Sequence, residues 1–296
     1  MTAKTVLGFT IAGYLALFFL YLFGPLLIMS STAFNTPDYP QAYPWDGFTW
    51  HWFAALFADD PMMQGLRRSL AIGIGVVCVA VPIGLAGAIV MTQIYARARA
   101  LYYVVVVSPV LTPGVILGIS TIVFWDRFAS AIHAGYNSIF YSGFALTVLG
   151  QSSFISAYAM LIILARLQRF DRSQEEAALD LGARFTQVFW HVLMPFLRPA
   201  LFSAAVLAFL SSFENYNTTT FTILAKTTLT TVLAGRIRQG MTPALSALAV
   251  CIIAITLAGA VLYEILKRRE EMRAAERART ARLAEEQGMA AVAQPA

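Results

Sequence analysis

Six long apolar segments alternate with shorter polar stretches along this chain of 296 residues. An α-helix needs about 20 mostly apolar residues to cross the hydrocarbon core of a membrane. The fifth segment is the least regular, because its second half reads SSFENYNTTTF. The pattern predicts an all-α integral membrane protein with six transmembrane helices, over residues 6–30, 67–92, 101–124, 144–167, 199–222 and 243–266.

Composition agrees with a membrane protein and argues against a protein that binds nucleic acid. The chain is 58% hydrophobic and 12% charged, whereas a soluble domain is about 25% charged. The formal net charge is +5, but the basic residues are scattered at the ends of the apolar segments. We therefore expect contact with membrane lipid and none with nucleic acid. The first apolar run is longer than that of a secretory signal, so residues 1–30 are predicted to remain as a transmembrane helix.

The placement of lysine and arginine predicts that both termini lie in the cytoplasm. Cytoplasmic loops of membrane proteins carry an excess of these residues. With six spans and both termini inside, 15 of them lie inside and 6 outside, although Arg67 and Arg68 at the outer end of the second span oppose the trend. This orientation makes 31–65 a periplasmic loop, 168–198 a cytoplasmic loop and 267–296 a cytoplasmic tail.

The predicted cytoplasmic loop contains a long amphipathic segment that begins with a helix signal. Ser173 and Glu176 have the spacing of a capping box, in which each side chain bonds to the backbone N–H of the other residue. A helix is therefore predicted from Ser173 to Leu181. It should end at Gly182, because helices often end at a glycine.

A second helix is predicted after Gly182, with apolar side chains on one face. These residues follow the i, i+3, i+4, i+7 spacing of an amphipathic helix. Pro195 and Pro199 are expected to end this helix before the fifth span begins. The pattern alone fits two interpretations equally well: a connector that lies flat on the membrane, or a helix that docks into a groove of another protein. The apolar residues are Phe185, Val188, Phe189 and Val192.

The same loop carries a spaced motif. EAA begins at Glu176, Gly182 follows after three more residues, and VLMP follows nine residues later at 192–195. This spacing resembles the EAA loop of ABC importer permeases, EAA-x3-G-x9-I-x-L-P, with valine and methionine in place of isoleucine and leucine. In that family the loop forms a coupling helix that docks on a cytoplasmic ATPase subunit. The resemblance implies that the ATPase-coupling residues are Glu176, Ala177, Ala178, Gly182, Phe185, Val188, Phe189, Val192 and Pro195.

Three further stretches extend the resemblance: SPVLTPGVILGIS at 108–120, SSFENYNTTTF at 211–221 and GMTPALSALA at 240–249. From about residue 66 to 262 the chain is similar to type I ABC importer permeases, and most like their polyamine (spermidine/putrescine) branch. This implies the type I permease fold in a bacterial inner membrane, and uptake of a small, polar, cationic, polyamine-like solute. The implied partners are two ABC ATPase subunits, a second homologous permease or another copy of this chain, and a periplasmic substrate-binding protein.

Polar residues in the fifth segment are candidates for a solute pathway. Glu214 is about 15 residues beyond Pro199, or roughly 22 Å along a helix. An unpaired charge at that depth costs about 2.5 to 3.5 kcal/mol. On a continuous helix, Glu214, Asn217 and Thr218 would share a face. Two interpretations remain: a cluster of hydrogen bonds between helices, or a pathway that meets a polar solute.

Prolines predict a kink in the third segment. Pro109 and Pro113-Gly114 lie inside it, and proline removes a backbone donor and bends a helix. Beside a pathway, such a kink could serve as a moving gate. Simple packing in the membrane explains it equally well.

The sequence carries no recognisable catalytic or metal-binding pattern. It lacks G-x-x-x-x-G-K-[ST], with which a P-loop binds phosphate, so we expect ATP to be bound by partner subunits and no cofactor by this chain. His51, His133 and His191 are far apart, without a carboxylate or cysteine at ligand spacing. The favoured prediction is a transport subunit that is not itself an enzyme. An integral-membrane enzyme and a non-transporting membrane scaffold are the alternatives.

Overall fold

A computed structural model describes the backbone of residues 3–292, and this part of the chain is helical without β-strands. Six helical stretches in it are long and apolar enough to span a membrane, so the predicted all-α class with six spans is confirmed. The helices are α1 (Ala3–Thr32), α2 (His51–Ala58), α3 (Asp60–Gln93), α4 (Ala96–Leu111), α5 (Gly114–Ala131), α6 (Gly143–Leu167), α7 (Ser173–Asp180), α8 (Phe185–Val188), α9 (Met194–Phe213), α10 (Thr219–Thr222), α11 (Leu229–Gln239) and α12 (Pro243–Val292).

The helices form two compact units, of which the first contains α1, α2 and α12. The buried Thr32 hydroxyl of α1 donates to Ser246 Oγ of α12 at 2.8 Å. In the loop after α1, the Asn35 side-chain oxygen accepts hydrogen bonds from three backbone N–H groups. The buried Trp52 indole of α2 donates to the Asn35 carbonyl at 2.8 Å. The loop between α1 and α2 is therefore held by a buried amide.

The second unit runs from α3 to α11, and α3, α6 and α9 pack against one another inside it. A Cβ placed on Gly84 of α3 would lie 2.7 Å from Ala159 Cβ and 2.7 Å from Met160 N of α6. Only glycine fits at such a distance, and small residues let helix backbones approach closely in membranes. We call this contact the glycine seam. The surrounding core includes Ala88, Ile163, Leu197 and Ala204.

The third predicted span, 101–124, is two helices instead of one. α4 ends at Leu111 and α5 begins at Gly114. Thr112 is extended (φ −86°, ψ 132°), because the ring of Pro113 disfavours a helical conformation in the residue before it. Pro109 stays inside α4, where the Ser108 hydroxyl donates at 2.8 Å to the Val105 carbonyl that this proline leaves without its helical donor.

The fifth predicted span, 199–222, is shifted along the chain. Pro195 and Pro199 were expected to end a helix, but helical structure continues from Phe185 to Phe213. A π-turn over Phe189–Leu193 joins α8 to α9. This wider turn places Pro195 in the first turn of α9, where a helix does not need its N–H. The span then ends at Phe213, nine residues earlier than predicted, and α10 follows as a separate turn.

Candidate functional site

A cavity of 480 Å³ opens where α9 ends. On α6, Phe154 and Tyr158 contribute rings that meet edge to face with centroids 6.4 Å apart. The other lining residues come from the last turns of α9 and from the segment that follows it. We call this space the Glu214 cavity, and it is lined by Phe154, Tyr158, Leu207, Ser211, Glu214, Asn215, Tyr216 and Asn217.

The sequence suggested that Glu214 lies inside a helix. In the structure it is exposed and follows the last residue of α9. Its backbone N–H donates to the Leu210 carbonyl at 3.1 Å, and the helix stops there. Residues 214–218, which we call the Glu214 segment, connect α9 to α10. The carboxylate therefore lines an open cavity, so it does not carry the full cost of a charge buried in lipid.

Glu214, Asn217 and Thr218 were predicted to share one face, and this prediction is wrong for Thr218. Glu214 and Asn217 both line the cavity. Thr218 is fully buried and donates from its hydroxyl to the Gly114 carbonyl at 3.2 Å. The shared face required a continuous helix, whereas the chain leaves the helical path at Glu214.

Two helix breaks meet at Thr218. One is the interruption between α4 and α5 at Pro113-Gly114, and the other is the Glu214 segment. A Cβ on Gly118 of α5 would lie 2.9 Å from the Thr218 carbonyl oxygen. Gly114, a predicted kink residue, is thus in contact with Thr218, a predicted pathway residue, although about 100 positions separate them in sequence.

A buried glutamine that the sequence analysis missed lies beside the same segment. Gln151 of α6 is 1% exposed. It accepts a short hydrogen bond from the Ser212 hydroxyl and donates to Thr219 Oγ1 at 2.7 Å. Polar side chains inside a span are rare and generally have partners. A glutamine in the middle of the apolar stretch 144–167 was therefore the available signal.

The predicted coupling loop begins with a well-defined helix and turn. α7 covers Ser173–Asp180, close to the predicted 173–181, and Gly182 follows with φ +86°. The Gly182 N–H donates to the Leu179 carbonyl at 2.8 Å and the Ala183 N–H to the Ala178 carbonyl at 3.0 Å. This is the Schellman arrangement, which requires the left-handed backbone that glycine adopts at little cost.

The predicted capping box at the start of α7 is absent. The helix begins without a side-chain cap from Ser173. Instead, the carboxylate of Asp171 accepts a hydrogen bond from the Ser173 N–H at 3.0 Å. Asp171 thus binds the Ser173 N–H, the donor that Glu176 would have bound in a capping box. Its negative charge also complements the positive end of the helix dipole.

The apolar residues after the turn are unequal in burial. Val188 is buried, Phe189 and Val192 are half-buried, and Phe185 is 80% exposed. Leu181, beside Gly182, is 90% exposed. A shallow cavity of 490 Å³ lies between the end of α7 and the π-turn. It is lined by Ala178, Leu181, Gly182, Ala183, Gln187, Val188, His191 and Val192.

Charged residues join α11 to the start of α3. The Arg236 guanidinium lies 2.8 Å from the Asp59 carboxylate. Arg68 donates hydrogen bonds to the Thr227 carbonyl at 3.3 Å and to the Thr227 hydroxyl at 3.2 Å. Arg67 and Arg68 were the two basic residues that did not fit the predicted orientation. Arg68 thus binds the chain between α10 and α11 by hydrogen bonds, which gives it a structural role.

Comparison with known families decides the class of this protein. Residues 80–271 match the family described as "Binding-protein-dependent transport system inner membrane component". The chain belongs to this family. The matched stretch contains the Glu214 cavity, both helix breaks and the EAA-like loop, so this transport component carries its candidate sites inside the family's own region.

Curated relatives cover most of this transport component. Over 263 residues it is 30% identical to the putrescine transport system permease protein PotI of Escherichia coli K12, covering 88% of this chain and 91% of the relative. It is 25% identical to the spermidine/putrescine transport system permease protein PotC of Haemophilus influenzae, covering 84% and 93%. The chain is therefore a permease of a binding-protein-dependent transport system, a transport protein that crosses the inner membrane several times.

Solved structures share the fold of this permease. A bacterial ABC transporter involved in the import of the acidic polysaccharide alginate matches with a TM-score of 0.64 at 15% identity, covering 88% of this chain and 94% of that chain. An amino acid ABC transporter with histidines matches with a TM-score of 0.52 at 19% identity, covering 74% and 98%. At these identities the matches establish the permease fold alone.

Proposed function

We propose that this permease moves a small cationic solute of the polyamine class into the cytoplasm, through a pathway that includes the Glu214 cavity. The observation that carries the proposal is an exposed carboxylate, Glu214, in a cavity that it shares with aromatic rings. The relatives described above are named for putrescine and for spermidine/putrescine transport. Those names support a cationic solute but do not assign residues to it.

The chemistry of the lining fits an alkylammonium ion. The lining residues include one acidic group, Glu214, and none that is basic. Phe154 and Tyr158 present aromatic rings, which attract cations through their π-electron density, and Leu207 offers apolar surface to a methylene chain. Nearby, Arg238 donates to the Tyr216 hydroxyl at 3.2 Å. That hydrogen bond orients a lining ring but also places one positive charge close to the cavity.

The proposed coupling to ATP hydrolysis uses the loop 168–198. Its helix, its left-handed turn at Gly182 and the exposed Leu181 and Phe185 form a surface suited to a partner protein. We propose that one of the two ATPase subunits of the transporter binds here, and that these subunits bind the ATP, so this chain needs no cofactor. This assignment makes both termini cytoplasmic and leaves the external side to a periplasmic substrate-binding protein.

The direction of α9 relates the two sites. Its 20 residues rise about 30 Å, so the loop and the Glu214 cavity lie at opposite ends of one span. A solute released outside would then meet Glu214 early in its passage. The helix breaks at Pro113-Gly114 and at the Glu214 segment are the proposed gate, and a second homologous permease or another copy of this chain would complete the pathway.

The test removes the charge of Glu214 and keeps its size. In Glu214→Gln we expect initial uptake of a diamine to slow at least tenfold, equivalent to about 1.4 kcal/mol in the barrier. Asp126→Asn is the matched control, since Asp126 is an exposed carboxylate that lies outside the cavity and accepts from the Tyr141 hydroxyl.

Uptake and complex yield must be measured together. Slow uptake at normal yield supports a pathway charge, whereas poor accumulation of the variant indicates a structural role for the glutamate. Full uptake at normal yield would refute the proposed role of Glu214.

A further inference from the structure

The Glu214 segment has little helical structure to hold it in place. It lies between the end of α9 and the single turn of α10, which is four residues long. Within the segment, the Asn215 side-chain oxygen accepts hydrogen bonds from the N–H groups of Thr218 at 3.1 Å and Thr219 at 3.3 Å. These local bonds shape the turn. They do not fix the segment relative to α6, which forms another part of the cavity.

One buried side chain supplies that connection. The Gln151 carboxamide of α6 accepts from the Ser212 hydroxyl, two residues before Glu214. It also donates at 2.7 Å to Thr219 Oγ1, directly after the segment. Among uncharged side chains, only a carboxamide offers a carbonyl acceptor and an N–H donor on one rigid plane. A single group thus binds both ends of the segment.

The hydrogen bonds continue from Gln151 into the segment itself. The Thr219 hydroxyl, which accepts from Gln151, donates to the Asn215 carbonyl at 2.7 Å. Asn215 follows Glu214 directly and lines the cavity with it. Two hydrogen bonds therefore connect the Gln151 carboxamide to the backbone of Asn215, the residue after Glu214. Gln151 and Thr219, which form this connection, are both buried.

We propose that Gln151 is a positioning residue, which fixes the Glu214 carboxylate in the cavity by holding both ends of its segment. The inference rests on the proposed solute pathway and adds to it a residue that does not line the cavity. Without the amide, the segment would shift between positions. The spacing between the carboxylate and the aromatic rings of α6 would then vary, and discrimination between amines of different length would weaken.

A second buried hydrogen bond offers a matched control. Thr222 Oγ1 of α10 donates to Thr147 Oγ1 of α6 at 3.0 Å, and both residues are fully buried. Like the bond from Gln151 to Thr219, this bond joins α6 to α10. It does not reach α9 or the start of the Glu214 segment. Thr147→Val therefore removes a polar contact between α6 and α10 and leaves the Gln151 bonds in place.

The experiment compares Gln151→Met with Thr147→Val, each alone and combined with Glu214→Gln, in the complete transporter. Initial uptake of a diamine and of a triamine is measured, together with the yield of assembled complex. We expect Gln151→Met to slow diamine uptake by about tenfold. It should also change the ratio of the uptake rates of the diamine and the triamine. Thr147→Val should leave that ratio unchanged.

The double variant separates positioning from general stability. If Gln151 acts through Glu214, the combined variant should be no slower than the slower single variant, because coupled residues give non-additive effects. Should Gln151→Met fail to assemble, Ser212→Ala and Thr219→Val each remove one of its bonds and are expected to give the same pattern.

Three results would overturn the proposal, and they do so in different ways. An unchanged amine ratio in Gln151→Met, or additive losses in the double variant, would contradict the positioning role and leave the proposed pathway intact, provided that Glu214→Gln is slow. Full uptake by Glu214→Gln at normal yield would overturn the pathway and this inference together.

Discussion

The glycine seam and the Glu214 segment use the same helix, α6, in opposite ways. At the seam, Ala159 and Met160 pack against Gly84 with no room for another carbon. Gln151, about 12 Å away along the helix, instead binds the Glu214 segment through hydrogen bonds. A close-packed contact cannot move without opening voids. We infer that packing holds α6 against α3 at the seam, whereas further along the helix Gln151 holds the Glu214 segment by directed hydrogen bonds.

The largest effect is expected when the seam is broken. In Gly84→Val, the new side chain would overlap the backbone of α6, since even a Cβ lies 2.7 Å from Met160 N. Overpacking of this kind costs about 1 to 3 kcal/mol or more. We expect most of the assembled complex to be lost, as measured by its yield in detergent.

Gly135→Val is the control for that substitution. A Cβ on Gly135 meets nothing within 4 Å, so the yield of this variant should stay near that of the unsubstituted protein. Normal yield of Gly84→Val would show that α3 and α6 can separate without penalty, and the seam could not then be a rigid frame.

A second prediction concerns a site fixed by backbone conformation and not by packing. Gly182 has φ +86° and nothing within 4 Å of a Cβ. A β-branched residue is strained there by about 1 to 3 kcal/mol. Gly182→Val should therefore assemble normally but lose at least about tenfold in transport, because a misdirected loop cannot transmit the motion of an ATPase.

Asparagine sharpens this test, because it adopts left-handed backbone more readily than other residues with a side chain. Gly182→Asn should keep most of the transport activity. Equal loss in both variants would mean that bulk at the turn, and not backbone conformation, is what matters there.

A smaller effect is expected where the two helix breaks meet. In Gly118→Ala the new methyl group would lie 2.9 Å from the Thr218 carbonyl oxygen. The Glu214 segment must then move slightly away from α5. We expect uptake to fall by about three- to fivefold, equivalent to less than about 1 kcal/mol, with normal yield. An unchanged uptake rate would indicate that the contact between the breaks has no role in transport.

The sequence predicted whatever depended on local composition. Apolar length predicted the number of spans and placed the first, second, fourth and sixth of them closely, because lipid requires a continuous apolar helix. The turn at Gly182 was predictable for a similar reason, since its left-handed backbone is a local requirement. Pro113 correctly marked a disturbance in the third span, although a kink was expected and the structure has a complete break.

Features that depend on distant partners were not predictable. From apolar length alone, the fifth span was predicted to end at residue 222. Side-chain hydrogen bonds to residues of α5 and α6 instead stabilise a turn at 214–218. Gln151 lies 61 and 68 positions from its two partners, so no local pattern reveals them. Pro195 was misread because a π-turn upstream removes the conflict that proline would otherwise cause.

The central claim is that solute occupies the Glu214 cavity, and labelling of a cysteine at Asn217 tests it most directly. Cys78 and Cys251 are replaced first, and the assembled transporter is treated with a thiol reagent in the absence and presence of a diamine. Asn217 is exposed and lines the cavity, whereas Asn137 is exposed and does not. We predict that the diamine slows labelling at position 217 severalfold and leaves position 137 unchanged. Equal labelling rates at position 217 with and without the diamine would contradict the account.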